Sequence, residues 1–295
     1  MAKKISSFGD SLYKFIEVSE KRLYGSFSLG TTSTGRMASQ KPNLQNMPRV
    51  GFRDLFCARE GCVLIGLDYS QQELRVAALV AKDQALLQIY ADGGDVHANT
   101  AAALLNIPKE TVTKAQRQLA KAVAFGLLYG QGAKGLALYA KQQYGVEMSE
   151  QEAETHRTTF FQTYNGLRAW QKETGNLVKV TGIIRTQCGR IRDFNRELEG
   201  YRFTAALNLP IQGAAAEITL RAMTRLSPLL SPECRLVNVI HDEILLEVVE
   251  SRAKEYADRA HEAMEAAFLD IFPAAQPYMK GLVEAKTGRN WAETK

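Results

Sequence analysis

Two aspartates in this sequence stand where short apolar runs end, and a stripe of cationic and aromatic residues lies between them. Asp68 follows Cys62-Val63-Leu64-Ile65-Gly66-Leu67, and Asp242 sits in His241-Asp242-Glu243, between Arg235–Ile240 and Ile244–Val249. Carboxylates are natural anchors for hard cations. Mg²⁺ keeps several waters and is usually bound by one or two carboxylates plus substrate phosphates. Two such ions, about 3.5–4 Å apart, stabilise the attacking and leaving oxygens of an in-line displacement. These residue types therefore suit metal-assisted transfer of a nucleotide from a triphosphate.

The stripe is Arg117, Lys121, Phe125 and Tyr129, each four residues from the next. On a helix such residues are neighbours along one face. At 1.5 Å per residue they cover roughly 18 Å, about the length of a nucleotide from phosphate tail to base. The cations can neutralise triphosphate charge and the aromatics can meet sugar and base. Phe125, Leu128 and Tyr129 read equally well as a core face with the cations as a solvated flank. Each aspartate, taken alone, reads as a cap or a turn. It is the ordered trio of segments that argues for a site.

The elements that must position these residues follow from pattern. Cys62–Leu67 reads as a buried strand delivering Asp68 at its end. Leu74, Ala77, Ala78 and Ala81 recur at helical spacing, so the strand leads through a turn into a helix. Arg235–Ile240 and Ile244–Val249 read as strands folded back around Asp242. Residues 25–39, rich in Gly and Ser, read as a loop or hairpin, and Ala91-Asp92-Gly93-Gly94-Asp95 breaks the helices that precede it. Between Glu250 and Phe272, Tyr256, Ala260, Met264, Phe268 and Ile271 share one side, which predicts a helix packed on the sheet.

Taken together, Asp68-Tyr69-Ser70-Gln71-Gln72-Glu73-Leu74-Arg75, Arg117–Gly130 and His241-Asp242-Glu243 resemble motifs A, B and C of the family A DNA polymerases. The resemblance runs from about Leu23 to Trp291. It includes Thr34-Gly35-Arg36, Pro42-Asn43-Leu44-Gln45-Asn46, Asp95-Val96-His97 and Asn208-Leu209-Pro210-Ile211-Gln212-Gly213. It implies an α+β fold, an antiparallel-sheet palm with an inserted helical fingers subdomain. Residues 1–22 would be a leader or linker, 23–80 the first part of the palm, 81–200 the fingers and 201–295 the second part of the palm.

The resemblance also implies roles. Asp68 and Asp242 would hold two Mg²⁺ ions, with Mn²⁺ as a substitute and the Tyr69 carbonyl completing one shell. Arg117, Lys121 and His97 would bind the incoming dNTP, and Lys121 would protonate the departing pyrophosphate. Phe125 would lie on the deoxyribose and Tyr129 near the templating base. Glu73 would fill the space of a 2′-hydroxyl, with Gln71 beside the nucleotide. Arg36, Asn43, Gln45, Asn208, Gln212, His241 and Arg75 would contact primer-template DNA. Minor-groove acceptors are degenerate across A·T and T·A, so such donors can test pair geometry without reading sequence. On residue type alone, each of these polar residues reads as well as a loop or cap.

Two positions depart from the family pattern: Gln72, where an apolar residue usually precedes the gate glutamate, and Thr204, where many relatives carry an arginine. With only a short segment before Leu23, the reading expects no helical thumb or exonuclease within this stretch, which implies either a compact core, or a thumb or exonuclease that belongs to a separate polypeptide or to a longer parent. The 295 residues, 45% hydrophobic, can bury a sizeable core, and the net charge of +5 favours phosphate-rich partners. Four cysteines without zinc-ligand spacing predict reduced thiols, and the absence of a spanning run or a signal-peptide core predicts a soluble, cytoplasmic protein without a membrane partner. The alternatives are a single-subunit RNA polymerase-like enzyme, against which Glu73 argues, and a non-catalytic DNA-binding subunit, against which Asp68, Asp242 and Lys121 argue.

Overall fold

The computed structural model describes residues 10–197 and 202–295. Its strands, in chain order, are β1 (Ile16–Glu17), β2 (Arg22–Leu23), β3 (Ser26–Ser28), β4 (Ala38–Gln40), β5 (Cys62–Tyr69), β6 (Ile183–Arg185), β7 (Ile191–Asp193), β8 (Cys234–Ile240), β9 (Glu243–Val249) and β10 (Val283–Gly288). The helices are α1 (Asp10–Tyr13), α2 (Gln72–Val80), α3 (Gln84–Ala91), α4 (Val96–Leu105), α5 (Lys114–Leu128), α6 (Ala133–Tyr139), α7 (Glu150–Thr163), α8 (Asn165–Thr181), α9 (Phe203–Asn208), α10 (Ala214–Leu226) and α11 (Ala253–Ile271). They divide between two compact units: one built from the described residues up to Ser70 with Ala216–Asp270 and Leu282–Lys295, the other from Gln71–Ala215 and Ile271–Gly281.

The first unit is built on an antiparallel sheet in the order β10-β5-β9-β8. Its interior strand β5 pairs on both edges, which is why its sequence is apolar almost throughout: every residue but Asp68 is buried. The pleat sends alternate side chains to opposite faces. On one face Leu64 joins Leu44, Met47, Ile240, Leu245 and Trp291 in a core cluster. On the other, the Tyr69 hydroxyl donates to the Met264 carbonyl at 2.7 Å and its ring tilts against Phe268, seating α11. Tyr256, Ala260, Met264, Phe268 and Ile271 are all buried, as the helical spacing predicts. Outside the sheet, β3 and β4 form a hairpin across the Gly- and Ser-rich segment. Buried Glu247 on β9 accepts from Arg22 at 2.7 Å and Arg59 at 2.6 Å, fastening β2 and the approach to β5 onto the sheet.

The second unit is helical, with one small β6–β7 hairpin. Val178, Ile184, Phe194, Ala206 and Leu209 pack that hairpin against α8 and the chain entering a π-helical turn at Leu209–Gly213. Buried Asp83 caps α3 through Leu86 N–H at 3.1 Å and accepts Leu167 N–H at 3.0 Å, tying α3 to the start of α8. A Cβ on Gly166 would come within 2.7 Å of the Asp83 backbone, so that junction admits no side chain. Helix α5 begins in a capping box: Thr113 accepts from Gln116 N–H while the Gln116 side chain accepts from Thr113 N–H.

An antiparallel sheet with a helical segment inserted between its strands is thus what the sequence predicts and what forms. Helix α2, expected with the palm, groups with the helical unit because it packs on α3, α8 and the 209–213 turn. The second palm segment, expected from residue 201 onward, instead joins the sheet unit only from Ala216, because residues 202–215 and Ile271–Gly281 group with the helical unit; residues 200 and 201 themselves, and the leader up to residue 9, lie outside the described residues. No helix among the described residues is long and apolar enough to cross a membrane.

Candidate active site

In the sheet unit, antiparallel register places Asp68 directly opposite Glu243. The Tyr69 N–H donates to the Asp242 carbonyl at 3.3 Å, which makes Asp68 and Glu243 a non-hydrogen-bonded pair, the kind whose side chains approach most closely. A two-residue turn, His241-Asp242, joins β8 to β9, and His241 takes φ 57°. A left-handed non-glycine residue costs about 1–2 kcal/mol, strain that a sheet can impose at a functional turn. Asp68 and Asp242 are both half-buried, so each carboxylate sits at the rim of an otherwise closed strand pair.

Around them lies a network the sequence does not announce. The Glu243 carboxylate accepts from Trp291 Nε1 at 3.0 Å and pairs with Arg53 at 3.5 Å. Arg53 also stacks over the Trp291 ring at 4.1 Å. Burial holds the Arg53 guanidinium below its ordinary value, a shift that the Glu243 charge offsets only in part. Lys295 Nζ then bridges Asp68 at 3.1 Å and Glu243 at 3.2 Å. Arg53, Trp291 and Lys295 carry no motif and come from distant sequence. The one available signal is that the family resemblance extends as far as Trp291.

One cavity in this unit is lined by Arg36, Gln45 and His241, with Met37, Ala216, Thr219 and Leu220. Within it Gln45 spends its amide on the Val239 carbonyl at 3.1 Å, bracing the β8 end of the hairpin. Asn43 caps the short turn Leu44–Asn46 by accepting from Gln45 N–H at 3.0 Å. Both therefore act as supports, the loop role that their side-chain chemistry also allows.

In the helical unit, the face of α5 that carries the stripe is distinct from its core face. Ala120, Val123, Ala124, Leu127 and Leu128 are buried, whereas Arg117 is exposed and Lys121, Phe125 and Tyr129 are half-buried. The core-face reading of the stripe thus gives way. Arg117 is held by Asp95 at 2.5 Å, and Asp95 also caps α4 through His97 N–H at 2.9 Å. Burial raises the Asp95 carboxyl, but the Arg117 hydrogen bond and charge outweigh it and leave it below its ordinary value. Asp95 orients the first cation of the stripe, a role its motif membership alone does not reveal.

His97 is buried, with its ring tilted against Phe125 at 6.0 Å between centroids. Desolvation, helped by the Arg117 charge, lowers it to about 4, so the imidazole is neutral at pH 7. The Tyr129 hydroxyl donates to the Glu73 carboxylate, joining the expected sugar gate to the last residue of the stripe. Gln71 takes φ 55° at the entrance to α2 and its side chain accepts from the Tyr90 hydroxyl at 3.3 Å. Asn208 and Gln212 flank Leu209-Pro210-Ile211 and are half-buried.

Arg75 is turned into the fold. Expected on DNA, it is buried, donates to the carbonyls of Tyr278, Lys280 and Gly281 at 2.6–3.1 Å and stacks on Tyr90 at 4.2 Å. Its donors hold the 278–281 segment. Gln72, the departure from the family pattern, is also buried, and its Nε2 has no hydrogen-bond partner among the described residues.

Among the described residues no group of three or more His, Cys, Asp and Glu side chains gathers to hold a metal ion. An all-protein cage is therefore not what Asp68 and Asp242 offer. Two half-buried carboxylates, which would leave the rest of the shell to waters and substrate phosphates, fit Mg²⁺.

Known proteins resemble the chain along its length. The profile of DNA polymerase family A matches residues 1–293. DNA polymerase I of Aquifex aeolicus (strain VF5) is 36% identical over 90% of this chain and 46% of its own length. The thermostable DNA polymerase I of Thermus aquaticus is 35% identical over the whole chain and 35% of its own length. The chain thus spans between about a third and a half of these relatives. A solved structure, the POL domain of Pol1 from M. smegmatis in complex with DNA primer-template and dNTP, superposes with a TM-score of 0.86 at 30% identity, covering 99% of this chain and 52% of that one. Since the match follows the sheet and the helical insertion alike instead of one motif, the chain belongs to DNA polymerase family A.

Proposed function

We propose that the chain extends a primer 3′-hydroxyl with deoxynucleoside triphosphates under the direction of a template, releasing pyrophosphate. The observation that carries this reading is the β5–β9 register, which sets Asp68 beside the hairpin that presents Asp242. Those two carboxylates, with the Tyr69 carbonyl, would hold two Mg²⁺ ions, and Mn²⁺ would substitute. When bound, the ions supply charge stabilisation to the entering and leaving oxygens of an in-line displacement.

The chain's own residues do the remainder. Arg117, fixed by Asp95, and Lys121, one turn further, bind the triphosphate, and Lys121 delivers a proton to the departing pyrophosphate oxygen. Neutral His97 serves as a donor to the same phosphates without adding charge. Phe125 supports the deoxyribose. Glu73, held by Tyr129, occupies the space a 2′-hydroxyl requires, so the gate and the residue beside the templating base share one hydrogen bond. Arg36, His241, Asn208 and Gln212 contact the duplex, with Asn43 and Gln45 supporting the loop and hairpin of the sheet unit.

The test is primer extension with deoxynucleotides and ribonucleotides supplied separately. Asp68→Asn or Asp242→Asn should reduce Mg²⁺-dependent extension by about 10³-fold or more while folding and DNA binding persist, since a neutral amide is a poor ligand for a hard cation. Near wild-type extension by either variant, or extension by the wild type with ribonucleotides alone, would overturn the reading.

A further inference from the structure

Lys295 stands among the very carboxylates assigned above to the metal ions. Its ammonium lies 3.1 Å from Asp68 and 3.2 Å from Glu243, and its side chain is only 25% exposed. The segment that delivers it is firmly built. Asn290 caps the turn Trp291–Thr294, buried Trp291 donates to Glu243, and the buried Thr294 hydroxyl donates to the Trp291 carbonyl at 2.9 Å. Gly66 lies two residues before Asp68, on the same face of β5. A Cβ there would fall 2.7 Å from the Thr294 side chain and 2.9 Å from its carbonyl oxygen. The glycine is what lets this turn lie flat on the sheet and carry Lys295 to the carboxylates.

We propose that Lys295 is a built-in counter-ion of the metal site, one that a divalent cation must displace from Asp68 in order to bind. In the cation-free protein the ammonium offsets the facing carboxylates of Asp68 and Glu243, the close pair of the β5–β9 register. A cation arriving at Asp68 competes with it. The ammonium is retained by Glu243, which is already engaged by Trp291 and Arg53 and so keeps the lysine near without drawing the cation inward. Loading is then an exchange of one positive charge for another, and Lys295 sets the cation concentration at which it occurs. This inference rests on the assignment of Asp68 to metal binding.

The probe is Mn²⁺ alone, titrated into the full chain without DNA or nucleotide, with free ion followed by electron paramagnetic resonance. Lys295→Gln should bind Mn²⁺ more tightly by on the order of tenfold, because a like charge within about 4 Å of the ion is removed. Lys295→Arg should stay near wild type. In the wild-type chain, acylation of Lys295 read by mass spectrometry should speed up as Mn²⁺ is added, since the ammonium leaves Asp68. Equal or weaker Mn²⁺ binding by Lys295→Gln, with an acylation rate indifferent to the ion, overturns the proposal. Asp68→Asn separates the two levels: if it leaves Mn²⁺ binding unchanged, the metal assignment itself falls and the exchange with it. If it abolishes binding while Lys295→Gln changes nothing, only the exchange falls.

Discussion

Replacing Gln72 by methionine should stabilise the protein, although it alters a residue within a functional motif. The side chain is 3% exposed and its Nε2 lacks a partner among the described residues. A buried polar group left unpaired costs about 1–3 kcal/mol. Methionine is unbranched, adapts to irregular space and matches glutamine in helix propensity, so the substitution isolates the burial cost at the first residue of α2. A gain of about 1–2 kcal/mol corresponds to a rise in Tm of roughly 2–8 °C for a unit of 150–250 residues. Scanning calorimetry reads the shift, and amide exchange in α2 localises it. Because Glu73 is the next residue, ribonucleotide discrimination should be measured on the same protein; a better packed α2 should hold the Glu73 side chain at least as firmly. An unchanged or lowered Tm would mean that the amide is satisfied after all, and the reasoning from its burial would fail.

Glu73→Ala should raise ribonucleotide relative to deoxyribonucleotide incorporation, and Phe125→Tyr should improve use of 2′,3′-dideoxynucleotides; single-turnover competition in which both ratios stay fixed would remove the stripe from the sugar. Arg117→Ala should raise KM for dNTP by about 10- to 100-fold, the scale of a hydrogen bond to a charged group, with a smaller effect on kcat in steady-state assays. Glu247 supplies the pH dependence. Burial raises its carboxyl, but the Arg59 N–H and the Arg22 guanidinium outweigh this and hold it below its ordinary 4.5. Its contribution is therefore complete above about 4.5 and lost as pH falls through the lowered value. Glu247→Gln should lower Tm at neutral pH and flatten its decline under acid, measured between pH 6 and 3; an unaltered acid limb would show that the cluster does not govern it.

What the sequence makes legible is what depends on local repetition. The β5 run, the β8–β9 hairpin, the α11 face and the four-residue steps of α5 all announce themselves through period, because burial on one side of an element repeats with its geometry. The partners of these residues do not. Arg53 meets Glu243 across 190 positions, and nothing in its neighbours distinguishes it from a surface arginine. Arg75 illustrates the converse: a motif fixes its identity, yet only the fold shows its guanidinium turned onto backbone carbonyls. Asn43 and Gln45 spend hydrogen bonds on the chain's own backbone for the same reason. Side-chain direction is settled by long-range packing that a short pattern does not encode.

The β5–β9 pairing has a consequence for how such a centre tolerates change. One carboxylate is set by the end of a strand, the other by the turn beside it, and the Tyr69 N–H clamps that turn to the strand. The backbone frame that carries them is therefore inherited from the spacing of neighbouring strands, about 4.7–4.9 Å in any sheet, and not from a long loop. The sheet works as a ruler. Insertions elsewhere in the chain can lengthen, shorten or rebuild its surroundings while the strand and turn that carry the two acids stay in register, so drift in the loops leaves their frame unchanged.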